Sequence, residues 1–520
     1  MENVILNRIY YKTLDYIKQV KKVERKKIGQ FFTPPTVASY MAELMTYNQP
    51  NINILDTGAG TGILIGALCQ KILNNDTITT IHVDLYENDE NVLPALTENM
   101  ILVKRELEKR GKTCSYNIIQ ENFILHNEDF WNDNLWYDNE DKTEENLYDV
   151  VISNPPYRKI KKSAPEALVM NYVVHGQPNI YFLFMALSTK LLKPNGQLIF
   201  ITPRSFTSGA YFKKFRAYFL HNMQLTNLHL FHSRGDVFNS EKVLQEAIIL
   251  KAVKTNDFFP TISVSSSENA DLSSNFSYKV PYETVVDMKS EDLFIMIPTS
   301  IQEVELLDTV KKWESNLLRL GFKLKTGPVV DFRSTQFLKE ENSEKTVPLI
   351  WASHFKNNEI LFPRSPNKYP QYIENTDESK GLLLPNKDYI LVKRFTSKEE
   401  KRRVQSSLYL SEALPFLKIG IENHLNYVTK LNGDIEKEEL YGLFALLNSS
   451  FIDTYYRILN GSTQVNATEV NTIPLPSLEI VKEIGRKLIK TKNITTENCD
   501  SIIMELFVVN DANTTTAKVI

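Results

Sequence analysis

From Ile52 onward, short apolar runs alternate with amphipathic stretches. Runs rich in Ile, Val and Leu predict strands at Ile52–Asp56, Ile81–Glu87, Tyr116–Ile119, Tyr148–Asn154, Gln197–Thr202, Leu225–Phe231 and Ala247–Lys251. Helical periodicity fills the gaps between the first five, for example at Leu64–Leu73 and Tyr181–Leu192. The latter stops at Lys193-Pro194-Asn195-Gly196. Alternating β and α segments predict a seven-stranded, mostly parallel sheet covered on both faces. The last two strands leave no room for a helix between them, so an antiparallel pair is expected. Ahead of this region, Val4, Ile5, Ile9, Leu14, Ile17 and Val23 lie at helical spacing, ending in the basic run Lys21 to Lys27. Residues 1–28 are expected as an N-terminal helical arm with that run as a solvated face. After residue 255 the apolar runs shorten, and Ser, Asn and Asp dominate 264–276. The pattern divides the chain into a doubly covered α/β domain at 29–289 and a mixed α+β domain at 290–520.

Length agrees with that division, since 520 residues exceed an ordinary single module of roughly 100–200 residues. An apolar fraction of 42% and a charged fraction of 24% exclude a disordered or fibrous chain. Cys69, Cys114 and Cys499 are far apart, match no metal-ligand spacing, and are expected as buried thiols. A net charge of −3 excludes a globally basic coat for nucleic acid, but not a local basic face. No apolar run reaches the roughly 18 residues of a membrane span, and the start lacks a signal peptide's apolar stretch. No membrane partner is expected, and cytoplasm is the expected location.

Two motifs carry chemistry. The first is Asp56-Thr-Gly58-Ala-Gly60-Thr-Gly62, between a strand and a helix. Glycines let the backbone approach a ligand, and a helix N-terminus offers free N–H groups. A dinucleotide site spaces its glycines differently and places its ribose acid about 20 residues on. Here the acid ending the second strand, Glu87, lies further away. That pattern is the one found in S-adenosylmethionine sites.

The second motif is Asn154-Pro155-Pro156-Tyr157, delivered by an apolar strand to the carboxyl edge of the sheet. Each proline removes a backbone donor, so the loop offers acceptors: the Asn154 side-chain oxygen and the Pro155 carbonyl. Two acceptors that hold the hydrogens of a planar NH₂ group free its delocalised lone pair. Tyr157 adds a flat face for stacking.

On these residues the chain resembles the gamma-class N6-adenine DNA methyltransferases of restriction–modification systems, of the Taq and PstI type. The order is characteristic: Gly29-Gln30-Phe31-Phe32-Thr33-Pro34-Pro35, then the glycine loop, then N-P-P-Y. The resemblance covers 29–255 well. Beyond that it is carried by placement and by short pieces such as Pro348–Phe355, Ile421–Val428 and Thr463–Thr468. It implies a catalytic domain that uses S-adenosylmethionine, followed by a target-recognition domain, with double-stranded DNA as partner. It implies that Thr33 and Pro34 lie near the cofactor's methionine, and that Asp56, Gly58, Gly60 and Gly62 form its loop. Glu87 would take the ribose, and Asn122 and Phe123 the adenine, where the family has Asp-Phe. An Asn oxygen can still accept from the adenine amine. Phe238, in Asp236-Val-Phe-Asn, matches the aromatic that faces Tyr157 across the flipped target base; a hairpin core residue is the other reading.

Flipping is required because the amine of a paired adenine is tied up inside the stack. Arg158, Lys159, Lys161 and Lys162 follow the catalytic loop and could track phosphates. Lys393, Arg394, Lys398, Lys401, Arg402 and Arg403 form a second basic stretch, interleaved with Phe395 and Tyr409. A solvated face accounts equally for both. Gln464 and Asn466 carry amides able to read adenine, in a segment that also reads as a structural loop. His424 reads as a packed or hydrogen-bonded histidine. The resemblance implies protection of host DNA, with any cognate endonuclease on a separate chain, since no P-D…E-x-K pattern is visible. Two alternatives stay open: a protein glutamine N5-methyltransferase of the release-factor type, whose carboxamide poses the same chemical problem, and a catalytically inactive specificity subunit that binds DNA.

Overall fold

The computed structural model describes residues 4–20, 29, 31–132, 147–233, 246–272, 276–288, 290–356, 358–366, 368–397, 399–491 and 494–516. The chain divides into two compact units, Met1–Thr299 and Ser300–Ile520.

In the first unit every expected strand forms: β1 (Asn51–Asp56), β2 (Thr80–Tyr86), β3 (Thr113–Ile119), β4 (Tyr148–Ser153), β5 (Leu192–Pro203), β6 (Gln224–Phe231) and β7 (Ala247–Val253). β3, β2, β1, β4 and β5 are parallel neighbours in that order. β7 inserts antiparallel between β5 and β6, which confirms the expected terminal pair.

The strand count corrects the expectation. Among the described residues the sheet has nine strands, because β8 (Thr261–Ser267) pairs parallel with β6, and β9 (Phe276–Pro281) antiparallel with β8. Serine-rich composition hid these strands, since it breaks the apolar runs that mark the other seven. Ser265, Ser266 and Ser267 are buried, and the hydroxyls of Ser265 and Ser267 find partners inside the unit. Ser265 Oγ and Ser267 Oγ lie 2.8 and 3.0 Å from the two ring nitrogens of His229, and Tyr40 Oη lies 2.9 Å from Ser265 Oγ.

The sheet is apolar on both faces. Ile199 and Ile201 join a core with α1 (Val4–Gln19), α2 (Pro35–Glu43), α3 (Ile63–Ile72) and α4 (Leu93–Glu108). Leu198 and Phe200 alternate onto the opposite side, and α5 (Ile180–Leu191) and α6 (Lys213–Asn222) contact β5 and β6 respectively and each other.

The N-terminal helix is no separate arm. Ile5, Leu6 and Ile9 are buried in that core, and Thr13 Oγ1 lies 2.6 Å from Thr61 Oγ1. Of the apolar stripe seen in the sequence, Ile5 and Ile9 are buried, Leu14 and Ile17 half-buried and Val4 exposed, while Val23 lies outside the described residues. The basic run Lys21 to Lys27 lies outside the described residues. Residues 290–299, expected in the second domain, run with the first unit. Arg216 Nε donates to Asp292 O at 2.8 Å, and Ile295 N–H donates to Thr207 O at 2.9 Å.

The second unit contains, among the described residues, a six-stranded and a five-stranded sheet with several helices, so its architecture is mixed α and β. Helices Lys437–Leu447 and Leu478–Ile489 cross through Gly442 and Gly485, where a Cβ on Gly442 would stand 1.9 Å from Val481 O. Cys69, Cys114 and Cys499 are buried free thiols. Among the described residues no helix is long and apolar enough to cross a membrane.

Candidate active site

Parallel pairing brings the chemistry together. β2, β1 and β4 are adjacent, so their carboxyl ends share one edge of the sheet. Asp56 ends β1, Glu87 follows β2, and Asn154 follows β4. The glycine loop turns from Asp56 into α3 with Gly60 and Gly62 at φ of 53° and 82°, the left-handed region that favours glycine. Ala59 N–H donates to Tyr86 O at 2.9 Å, pinning the loop to the neighbouring strand.

A cleft of about 790 Å³ opens at this edge, a normal size for a small-molecule site. Of the residues singled out from sequence, Thr33, Gly58, Gly60, Glu87, Asn122, Phe123, Asn154, Pro156 and Arg158 line it. Pro34, Asp56, Gly62, Pro155 and Tyr157 are not among its lining residues, though each is next in sequence to one that is. Phe238 lies outside the described residues.

The acids are held by the loop itself. Glu87 Oε2 accepts from Gly60 N–H at 2.8 Å and Oε1 from Asp89 N–H at 2.9 Å. Burial raises the Glu87 carboxyl above its ordinary value. A carboxylate has about four lone-pair sites, so acceptor capacity for ribose hydroxyls remains. Asp56 is fully buried; its Oδ1 accepts from Gly58 N–H at 3.3 Å, and its Oδ2 has no partner. Burial, opposed by the Gly58 N–H and reinforced by the Glu87 charge, pushes Asp56 up to about 7.

Asn154 is oriented by both of its amide hydrogens. Its Nδ2 donates to Phe31 O at 2.9 Å and to Thr33 Oγ1 at 3.1 Å. That turns Oδ1 the other way, buried and without a hydrogen-bond partner. Tyr157 is fixed too: its Oη donates to Ile201 O at 2.9 Å, Phe31 stacks on it at 5.6 Å and 28°, and Tyr181 meets it edge-on. Burial drives its hydroxyl well above the ordinary range, so it stays protonated.

The residues fit S-adenosylmethionine. The cleft joins glycine-loop backbone, the Glu87 carboxyl, the aromatic ring of Phe123, and the orphaned Asn154 amide oxygen. One implied contact does not hold. Asn122 Oδ1 caps the short helix Phe123–His126, accepting from Ile124 N–H at 3.1 Å and Leu125 N–H at 3.3 Å. Both lone pairs are used, so this oxygen has none left for an adenine amine.

Some site residues carried no sequence signal. Phe184 lines the cleft, as does Asp89, which accepts from Tyr16 Oη at 3.2 Å; Phe32, from the segment that precedes the glycine loop, lines it too. Phe31 lay inside a recognised segment, but its stacking on Tyr157 joins residues distant in sequence.

The basic stretches split. Lys159, Lys161 and Lys162 are exposed. In the second unit, Arg402 donates to the carbonyls of Leu447, Asn448 and Ser449 at the end of a helix, and buried Arg403 donates to Ser462 O. Both are structural rather than free for phosphates. Lys393 Nζ donates to Gln405 Oε1 at 2.8 Å, Lys401 is exposed, and Lys398 lies outside the described residues. Arg394 donates through Nη2 and Nε to the Gln464 amide oxygen, at 2.9 and 3.0 Å with the amide turned to suit both groups. Asn466 precedes the helix Ala467–Thr472 without capping it through its side chain. His424 is hydrogen-bonded to Glu422 at 2.6 Å, as expected.

Residues 67–238 match the Eco57I restriction-modification methylase family. M.BsuBI of Bacillus subtilis, a type II methyltransferase, is 34% identical over 499 residues, covering 94% of this chain and 96% of its own. M.PstI of Providencia stuartii, another, is 33% identical over 464 residues, covering 89% and 90%. With identity at that level along almost its whole length, the chain belongs to the type II methyltransferases of restriction–modification systems.

Proposed function

We propose that the protein transfers a methyl group from S-adenosylmethionine to N6 of an adenine flipped out of duplex DNA, within one recognition sequence. Methylation of DNA follows from the family; the base, the atom and the flipping are our reading. The observation that supports it is the Asn154 amide. Its hydrogens are held by Phe31 O and Thr33 Oγ1, and its oxygen is a buried acceptor in want of a donor. An orphaned buried acceptor costs about 1–3 kcal/mol, which an incoming N–H would recover.

When bound, S-adenosylmethionine supplies an electrophilic methyl group. The chain's own residues do the rest. Asn154 Oδ1 and the Pro155 carbonyl accept the two amine hydrogens and localise the lone pair on nitrogen. Tyr157 offers a ring face already held by its hydroxyl and by Phe31. Asn154 does not ionise, so the proton leaves through these acceptors or through water. Extruding the base costs on the order of a few kcal/mol, partly offset by stacking. Phe238 would close the opposite side of the base. Gly58, Gly60, Glu87 and Phe123 would hold the cofactor, Lys159, Lys161 and Lys162 phosphates, and the second unit the recognition sequence. Protection against a cognate endonuclease would be the biological outcome.

The test is incubation of the protein with duplex DNA and methyl-labelled S-adenosylmethionine, followed by nucleoside analysis and single-molecule sequencing. N6-methyladenine at one sequence is expected. Label on cytosine, or on a protein glutamine instead of DNA, would overturn the assignment.

A further inference from the structure

Asn122, Phe123, Arg158 and Phe184 line the cleft together. Glu166, which no motif singles out, stands behind them. It lies in the short helix Pro165–Val169 and is 8% exposed. Its Oε1 is 3.0 Å from Asn122 Nδ2 and 4.0 Å from Arg158 Nη2. Since the Asn122 oxygen caps a helix, only the NH₂ end of that side chain is left for other partners. Glu166 takes one of its hydrogens.

We infer that Glu166 is a positioning residue of the cofactor pocket: it fixes the Asn122 amide and draws the Arg158 guanidinium to the pocket wall. This rests on reading the cleft as the S-adenosylmethionine site. The amide at 122 and the acid at 166 form one chemical unit. A carboxylate in place of that amide would remove the hydrogen that Glu166 accepts and set two acidic side chains against each other about 3 Å apart. A neutral donor at 122 is therefore what an acid at 166 requires, and that accounts for Asn where the family pattern has Asp. Arg158 is exposed like the lysines that follow it, but it lines the cleft and they do not, which assigns it to the cofactor.

The experiment is calorimetric titration of the full chain with S-adenosylmethionine, using wild type, Asn122→Asp, Glu166→Gln and the double variant, with melting temperatures measured in parallel without cofactor. Asn122→Asp should weaken binding by about 10- to 100-fold, the equivalent of one lost charge-assisted hydrogen bond, and Glu166→Gln by about 3- to 10-fold, since it keeps an acceptor oxygen and loses only the charge. The double variant should recover part of that loss, because it again pairs one amide with one carboxylate, the donor and acceptor roles exchanged between the two positions. Arg158→Ala should weaken cofactor binding and leave the salt slope of DNA binding unchanged. Wild-type affinity in Glu166→Gln, or strict additivity of the two changes, would overturn the inference. So would a fall in melting temperature with cofactor affinity unchanged, which would make Glu166 structural only. If the wild type itself does not bind S-adenosylmethionine, the cofactor reading fails and takes the inference with it. Coupling retained in the melting temperatures would then show that the pair itself was correctly read.

Discussion

Thr57 and Ser153 tie the glycine loop to the Asn154–Tyr157 loop: Thr57 Oγ1 donates to Ser153 Oγ at 2.7 Å. Thr57 follows β1 and Ser153 ends β4, one residue ahead of Gly58 and Asn154 respectively, and both are buried. Replacing Thr57 by Val removes the bond while keeping the volume. A neutral buried hydrogen bond is worth about 1 kcal/mol net, so the melting temperature should fall by roughly 2–4 °C. Because the bond joins two loops that line the same cleft, the apparent affinity for S-adenosylmethionine should fall as well. Unchanged affinity with lowered stability would make the link purely structural.

The Asn154 amide is held from one side by Thr33, whose Oγ1 accepts from Nδ2. Asn154→Ala should abolish methylation while leaving S-adenosylmethionine binding largely intact, as read by calorimetry. Thr33→Val should be milder. It leaves the Phe31 carbonyl as the only hold on the amide, so kcat should drop by about tenfold, the worth of roughly 1.4 kcal/mol in the transition state.

Tyr157 is constrained at both its ring and its hydroxyl. If its ring stacks on the target base, Tyr157→Ala should slow methylation by about 5- to 150-fold, the equivalent of roughly 1–3 kcal/mol. Tyr157→Phe keeps the face but loses the bond to Ile201 O, so it should cost stability more than rate. Methylation rates measured beside thermal melts separate the two effects. With 2-aminopurine at the target adenine, Phe238→Ala should change the fluorescence on DNA binding; no change in signal or rate would return Phe238 to the hairpin core.

His229 gives the first unit a pH dependence. It is buried between two serine hydroxyls and packed against Tyr40 and Phe231, and burial lowers its pKa from 6.5 to about 4. The folded value lies below the unfolded one, so the unfolded chain takes up the proton first as pH falls. The stability this histidine contributes in its neutral form is therefore present above about pH 6.5 and is lost progressively toward about pH 4. His229→Gln should reduce the difference between melting temperatures measured near pH 7.5 and near pH 5, while lowering both.

Basic residues should separate by their surroundings. Neutralising a phosphate contact among Lys159, Lys161 and Lys162 should reduce the log–log salt slope of DNA binding by about one. Arg402→Gln should act by a different route. Its guanidinium donates to three carbonyls at a helix end, so the second unit should lose stability and all sequences should be bound less well. An unchanged slope for all three lysines would return them to a solvated face.

Much of the first unit is written locally in the sequence. Buried parallel strands are short apolar runs, and their alternation with helices dictates a doubly covered sheet, so all seven core strands could be read in place. The glycine loop and N-P-P-Y are contiguous, because a tight turn and an acceptor-rich loop each need a few neighbouring residues. What the sequence could not decide are partnerships between distant residues. Thr261–Ser267 reads as polar until His229 and Tyr40 are seen to satisfy its hydroxyls. The first helix reads as an arm until its apolar stripe finds the core of the unit. Asn122 offers an acceptor on paper, and only folding spends that oxygen on a helix cap and turns the amide to Glu166. Arg402 is a cation like its neighbours until a helix end closes around it. Local pattern is set by backbone geometry over a few residues. The state of a polar group depends on what burial leaves within about 3 Å of it, and tertiary structure alone decides that.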